Sequence, residues 1–261
     1  MSIFDSLFTS LQKAQTSPYI SVMQGETIYG TNSTQANGPF GGTGDYLNGT
    51  WRNDTIFGLA GDDTINGGAG ADKIYGGIGN DILDGAAGND SLYGGSGNDV
   101  LSGDIQLSGD LATGNTVSDD YLDGGSGADR LYGGGGKDVL IGGTGADILS
   151  GGADADVFKY TSTNQSGLAA GQRDLITDFQ KGVDKIDLSA IDAKLLYAGD
   201  QAFKYVQYDP NRQLMAGEVT SHYDAASGKT LVEVSDGLAA GPEMRIELSG
   251  NVQLSATDFV L

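Results

Sequence analysis

An apolar residue returns every nine positions through the middle of this chain: Leu47, Ile56, Ile65, Ile74, Leu83, Leu92 and Leu101. After a break it resumes at Leu122, Leu131, Leu140, Leu149 and Phe158. A period of nine fits neither a 3.6-residue helical repeat nor a long alternating strand. It predicts very short strands, each pointing its middle side chain inward and the flanking ones outward. Self-similarity at a fixed period marks a solenoid, in which each unit buries its apolar face against the next. Two nonapeptides complete one coil, with a turn on either side. The fold class read from this pattern is all-β, a parallel β-roll.

The polar half of the repeat is as regular. Two residues before each apolar position stands an aspartate: Asp45, Asp54, Asp63, Asp72, Asp81, Asp90 and Asp99, then Asp120, Asp129, Asp138, Asp147 and Asp156. From Gly67 the chain reads Gly-Gly-Ala-Gly-Ala-Asp-Lys-Ile-Tyr, then Gly-Gly-Ile-Gly-Asn-Asp-Ile-Leu-Asp. Glycine permits sharp turns and close backbone approach, with carbonyls turned inward. The aspartate adds a carboxylate, and oxygen ligands gathered in this way suit Ca2+. Because one coil holds two repeats, turns on one side come from alternate repeats, Asp63, Asp81 and Asp99 against Asp54, Asp72 and Asp90. Several calcium ions are expected between successive turns. The candidate metal ligands are Asp63, Asp72, Asp81, Asp90, Asp99, Asp120, Asp129, Asp138, Asp147 and Asp156, with Gly67, Gly76, Gly94, Gly124, Gly133 and Gly142.

Charge sharpens this picture. Acidic residues number 35 against 14 basic ones, a net charge of −21, and only five of the acids are glutamate. That much like charge opposes compaction, and one inward aliphatic per nonapeptide makes a thin core. The roll is therefore expected to be disordered until calcium binds. No basic patch exists to neutralise phosphates, which excludes nucleic acid as a partner. The absence of cysteine excludes disulfides and thiol chemistry. No stretch has the length and apolarity of a transmembrane helix. The start, Met1 to Phe8, lacks the basic opening and apolar run of a cleavable signal peptide.

The repeat Gly-Gly-x-Gly-x-Asp-x-apolar-x resembles that of the RTX (repeats-in-toxin) calcium-binding proteins. Past the roll, Asp156-Val157-Phe158-Lys159-Tyr160, Asp174-Leu175-Ile176-Thr177-Asp178-Phe179 and Gly182-Val183-Asp184-Lys185-Ile186-Asp187-Leu188-Ser189 resemble the C-terminal domain of serralysin-type proteins. So does the ending Leu254-Ser255-Ala256-Thr257-Asp258-Phe259-Val260-Leu261, an acidic residue before a short apolar tail. The resemblance implies export of the unfolded chain from a Gram-negative bacterium through a type I secretion apparatus that reads the C-terminus. It also implies folding in extracellular calcium. The expected organisation is an N-terminal cap helix and loop over residues 1–40, a roll over 41–158 with an insertion at 103–119, and a β-rich serralysin-like domain over 159–261.

Catalytic signatures are not found. The one histidine, His222, has no His-Glu-x-x-His context, and no Gly-x-Ser-x-Gly elbow occurs. No catalytic or organic-cofactor residue is therefore assigned. Ile3, Phe4, Leu7, Phe8 and Leu11 share one face of a short helix, read either as a cap over the roll or as a membrane or partner anchor. Phe57, Tyr75 and Tyr93 stand eighteen apart on one sheet, either a stacking ladder or a surface for sugar rings or a partner. Two functions remain. The preferred one is a secreted, non-enzymatic calcium-binding protein with a surface, matrix or signalling role, its partner a polysaccharide or cell-surface component. The alternative is a calcium-binding and secretion module of an extracellular protease, lipase or polysaccharide-modifying enzyme.

Overall fold

The computed structural model describes residues 19–21, 27–30, 44–104, 118–191, 193, 202–237 and 241–261. Two sheets face each other, one of twelve strands and one of nine, and consecutive strands of the roll alternate between them. The long sheet takes Tyr46–Asn48, Thr64–Ala69, Ile82–Ala87, Val100–Ser102, Arg130–Gly135 and Ile148–Ala153; the short sheet takes Thr55–Ala60, Lys73–Ile78, Ser91–Ser96, Tyr121–Ser126, Val139–Ile141 and Val157–Lys159. All these pairings are parallel. Alternation follows from the repeat: once per nonapeptide a glycine-rich turn carries the chain across to the other sheet. Neighbours within a sheet are then eighteen residues apart, as Ile56↔Ile74 and Leu47↔Ile65 are.

The periodic aliphatics fill the space between the sheets. From Leu47 to Phe158 each is 1% exposed or less, and each contributes about 2 kcal/mol by leaving water. The break in the repeat adds twelve residues without disturbing this register, since Leu92 pairs with Leu122 and Leu101 with Leu131, each thirty apart. Ser118 Oγ donates to Asp104 Oδ1 and closes the neck of the insertion. Asp104 Oδ2 accepts from Gly135 N at 2.9 Å, tying that neck to the next coil.

The roll is longer than the sequence reading placed it. Tyr19–Ser21 pairs with Tyr46–Asn48, and Thr27–Tyr29 with Thr55–Ala60, so coils begin upstream of residue 41. Downstream, Asp174–Ile176 and Lys185–Asp187 extend the two sheets in parallel. The N-terminal amphipathic helix expected at Ile3–Leu11 lies outside the described residues. Among those residues no helix is long and apolar enough to cross a membrane.

The C-terminal end is closed by a change of direction. Met244–Ser249 pairs parallel with Asp174–Ile176 but antiparallel with Lys229–Ser235, which pairs antiparallel with Glu218–Asp224. Phe259–Val260 completes the short sheet against Lys185–Asp187. Asp258 is fully buried and accepts from Gly182 N, Ser255 N and Ser255 Oγ at 2.8–2.9 Å. The acidic-apolar tail is thus built into the fold and is not an appendage to it.

On the outer face of the short sheet, Tyr29, Phe57, Tyr75 and Tyr93 stack at centroid spacings of 5.2, 4.8 and 4.8 Å, within 10° of parallel. These spacings are those of the strands that carry the rings. The inner ring faces are spent on one another, so the stripe is a stacking ladder that leaves no row of open faces for sugar rings.

Candidate metal centre

The repeat aspartates form two rows, one along each line of turns. In each row the backbone N–H of one aspartate donates to Oδ1 of the aspartate one coil later. One row runs Asp45, Asp63, Asp81, Asp99, Asp129, Asp147 and Asp174, with N–O distances of 2.6–3.0 Å. The other runs Asp54, Asp72, Asp90, Asp120, Asp138, Asp156 and Asp184 at 2.7–3.1 Å. After the first aspartate of each row, one carboxylate oxygen is therefore fixed by the coil before it.

The second oxygen is stranded. Oδ2 of Asp63, Asp72, Asp81, Asp90, Asp99, Asp120, Asp129, Asp138, Asp147 and Asp156 is buried without a hydrogen-bond partner, whereas the Asp174 carboxylate lies beside the Tyr160 hydroxyl. Unpaired buried carboxylate oxygen is costly unless a cation meets it, and the ion pairs among the described residues lie elsewhere. Burial pushes these acids up to about 6 at Asp63, Asp147 and Asp156. It pushes them to about 7 at Asp72, Asp81, Asp90, Asp129 and Asp138, and to about 8 at Asp120 and Asp174. The backbone N–H bond pulls each partly back, and in most of them neighbouring carboxylates raise it further.

The glycines of the turn have two different jobs. Gly77 and Gly79 take φ of 119° and 141°, a region that side chains rarely adopt. Gly76, the first of its repeat, has no such φ; a Cβ there would stand 2.4 Å from Asp81 Oδ2 and 2.7 Å from the carbonyl oxygen of Gly94. The same holds for Gly67, Gly94, Gly124 and Gly133, which would meet their own aspartate's Oδ2 at 2.2–2.5 Å and a carbonyl of the next coil at 2.6–2.8 Å. Gly142 would meet Asp147 Oδ2 at 2.4 Å. First-position glycine thus clears room beside the carboxylate. Leu59, Ala86 and Asp154, which replace turn glycines, are held at φ 81°, 75° and 74°.

Both ends of the second row are finished differently. Thr50 donates to Asp54 Oδ2 through N at 2.7 Å and Oγ1 at 2.8 Å. Gln180 N donates to Asp184 Oδ2 at 2.7 Å. A protein donor thus takes the oxygen that is stranded in the coils between. Among the described residues no three acidic or histidine side chains converge on one point. A hard cation at a turn therefore draws its remaining oxygens from backbone carbonyls and water.

The four stretches 48–83, 75–106, 116–140 and 132–159 match the profile of the RTX calcium-binding nonapeptide repeat. This chain carries RTX repeats. Calcium is the ion they bind, and the stranded Oδ2 atoms are donors of the right hardness for it. Two solved structures are similar to the chain. The AlgE6R2 subunit of the Azotobacter vinelandii mannuronan C5-epimerase is 29% identical over 67% of this chain and 92% of that one, with a TM-score of 0.42. The AlgE6R3 subunit of the same enzyme is 26% identical over 60% and 86%, with a TM-score of 0.41.

Two members of the rows break the eighteen-residue spacing of the coils. Asp174 follows Asp147 by 27 residues, and Asp184 follows Asp156 by 28. Their signal is the local Asp-x-apolar triplet, Asp174-Leu175-Ile176 and Asp184-Lys185-Ile186. A second ladder in the RTX turns was also missed. Where Asn or Asp precedes a repeat aspartate, its side-chain oxygen can accept from the equivalent backbone N–H one coil on: Asn53 from Ala71, Asp62 from Asn80, Asn80 from Asn98 and Asn98 from Ala128, at 2.7–2.9 Å.

Proposed function

We propose that this chain is an exported RTX protein that stays unfolded where calcium is scarce and folds into the roll where calcium is abundant, outside a Gram-negative cell. Its role is non-enzymatic, at a surface, in a matrix or in signalling, and its export runs through a type I apparatus that reads the C-terminus. The ions are held by Asp63, Asp72, Asp81, Asp90, Asp99, Asp120, Asp129, Asp138, Asp147 and Asp156, with carbonyl oxygens of turn glycines such as Gly67, Gly76, Gly94, Gly124, Gly133 and Gly142. Asp174 joins them. The observation that carries this reading is the unbroken line of buried, unpartnered Oδ2 atoms, which no cationic side chain meets.

The test is a calcium titration of the stripped protein, followed by far-ultraviolet circular dichroism. A cooperative gain of β signal at about 10⁻⁴–10⁻³ M calcium is expected, reversed by chelator and not reproduced by magnesium. A stripped protein already folded at neutral pH and indifferent to calcium would refute the switch. The same preparation, assayed on protein, lipid and polysaccharide substrates, separates the two roles: calcium-supported turnover would move the chain to the enzyme-module reading.

A further inference from the structure

Away from the roll, a cleft of about 220 Å³ opens where the antiparallel strands meet the segment before the C-terminal tail. Its polar lining includes Tyr205, Gln207, Tyr208, Ser221, His222 and Gln253. No lysine, arginine, aspartate or glutamate lines it, in a protein whose net charge is −21. The cleft is also pre-formed. Tyr205 stacks on Phe259 at 5.3 Å, its hydroxyl shares a 2.9 Å hydrogen bond with Ser221 Oγ, and it donates to the carbonyl of Leu254 at 3.1 Å. The Tyr208 ring lies on the His222 imidazole at 4.0 Å, while the tyrosine remains 36% exposed. His222 Nδ1 is buried without a partner. Buried polar atoms are normally satisfied, so this imidazole is not explained by the packing of the strand that carries it.

We propose that this cleft binds one ring of a neutral saccharide. The reasoning is one of exclusion followed by fit. An anionic ligand would find no cation in the lining to neutralise it. An apolar ligand would find mainly hydroxyl, amide and imidazole groups. An uncharged, hydroxyl-rich ring matches a site of that size, in which aromatic surface is combined with a few convergent polar groups. This inference concerns the antiparallel end of the molecule and is independent of how the roll takes up calcium.

The experiment is saturation-transfer NMR and calorimetry on the full chain in saturating calcium, with D-glucose, D-galactose, D-mannose and N-acetyl-D-glucosamine as probes and D-galacturonate as the acidic control. At least one neutral sugar is expected to bind with a Kd on the order of millimolar, the scale for a single small ring, and galacturonate is not. Tyr208→Ala and Gln253→Ala should each weaken binding at least about five-fold, with the calcium-induced dichroism signal unchanged. Gln207→Ala, at an exposed position, serves as the third variant should either of the others disturb folding. Failure of all four neutral sugars to bind, galacturonate binding as well as they do, or binding unchanged in every folded variant would overturn the proposal. None of these outcomes touches the calcium switch, which the dichroism signal reports separately.

Discussion

Protons should replace calcium in the turns. In the fold Asp72, Asp81, Asp90, Asp129 and Asp138 stand at about 7, against an ordinary value of 3.8, chiefly because burial disfavours their charge. The folded chain therefore binds more protons than the unfolded one between those limits. For groups raised in this way, stability is full below the unfolded value and is lost as pH rises through the folded one. A difference of about three pH units corresponds to about 4 kcal/mol per carboxylate. Halved for the water that reaches surface turns, it is still about 2 kcal/mol each. Five such groups then cost about 10 kcal/mol above neutrality, comparable to the whole stability of a domain. Calcium-stripped protein should accordingly lack β signal at about pH 8 and acquire it at about pH 5. Calcium added at the lower pH should release protons with little change in dichroism. The acid limit stays above the isoelectric point of about 4.1, where the chain would precipitate. Identical spectra of stripped protein at both pH values, with no proton release at the lower one, would refute the claim that these carboxylates are the groups calcium neutralises.

Other perturbations follow from the same geometry. Asp90→Asn keeps an acceptor for the Asp72 N–H but removes the charge, so the calcium midpoint should rise about five-fold, or about 1 kcal/mol, with a shallower titration. Gly77→Ala would put a Cβ 2.2 Å from the Leu59 carbonyl at φ 119°, an overlap that should cost roughly 3 kcal/mol or more. Gly228→Ala meets nothing within 4 Å at φ 72° and should cost about 1 kcal/mol; urea unfolding in saturating calcium compares the two, and equal losses would contradict the steric account. Phe259→Ala empties a buried position of the last strand and should cost about 3 kcal/mol, read as a lower thermal midpoint in calcium.

The roll was legible because its information is local and repeated. A nine-residue count placed Ile56, Leu83 and Phe158 in the core and the ten aspartates in two rows. Adding the insertion to the same count kept Leu122 and Leu131 in register. Features set by long-range pairing had no such signature. The parallel pairing of Met244–Ser249 with Asp174–Ile176 joins segments some seventy residues apart that share no period. Asp174 and Asp184 depart from the eighteen-residue coil spacing because the chain between coils lengthens there, by nine residues and by ten, although their triplets were visible. The reason for first-position glycine could not be read either. Positive φ explains Gly77, whereas at Gly76 the constraint is the aspartate five residues on, a contact only the folded turn displays.

The hydrogen bonds of the aspartate rows all point the same way. Each aspartate's N–H is satisfied by a carboxylate from the coil that follows, never from the one before. The ladder of the residues before them runs the opposite way, Asn80 N donating back to Asp62 Oδ1 and Asn98 N back to Asn80 Oδ1. A coil that loses either neighbour is therefore left with an unmet backbone donor. The array is knit in both directions, and removal of one interior coil is expected to loosen both of its flanks.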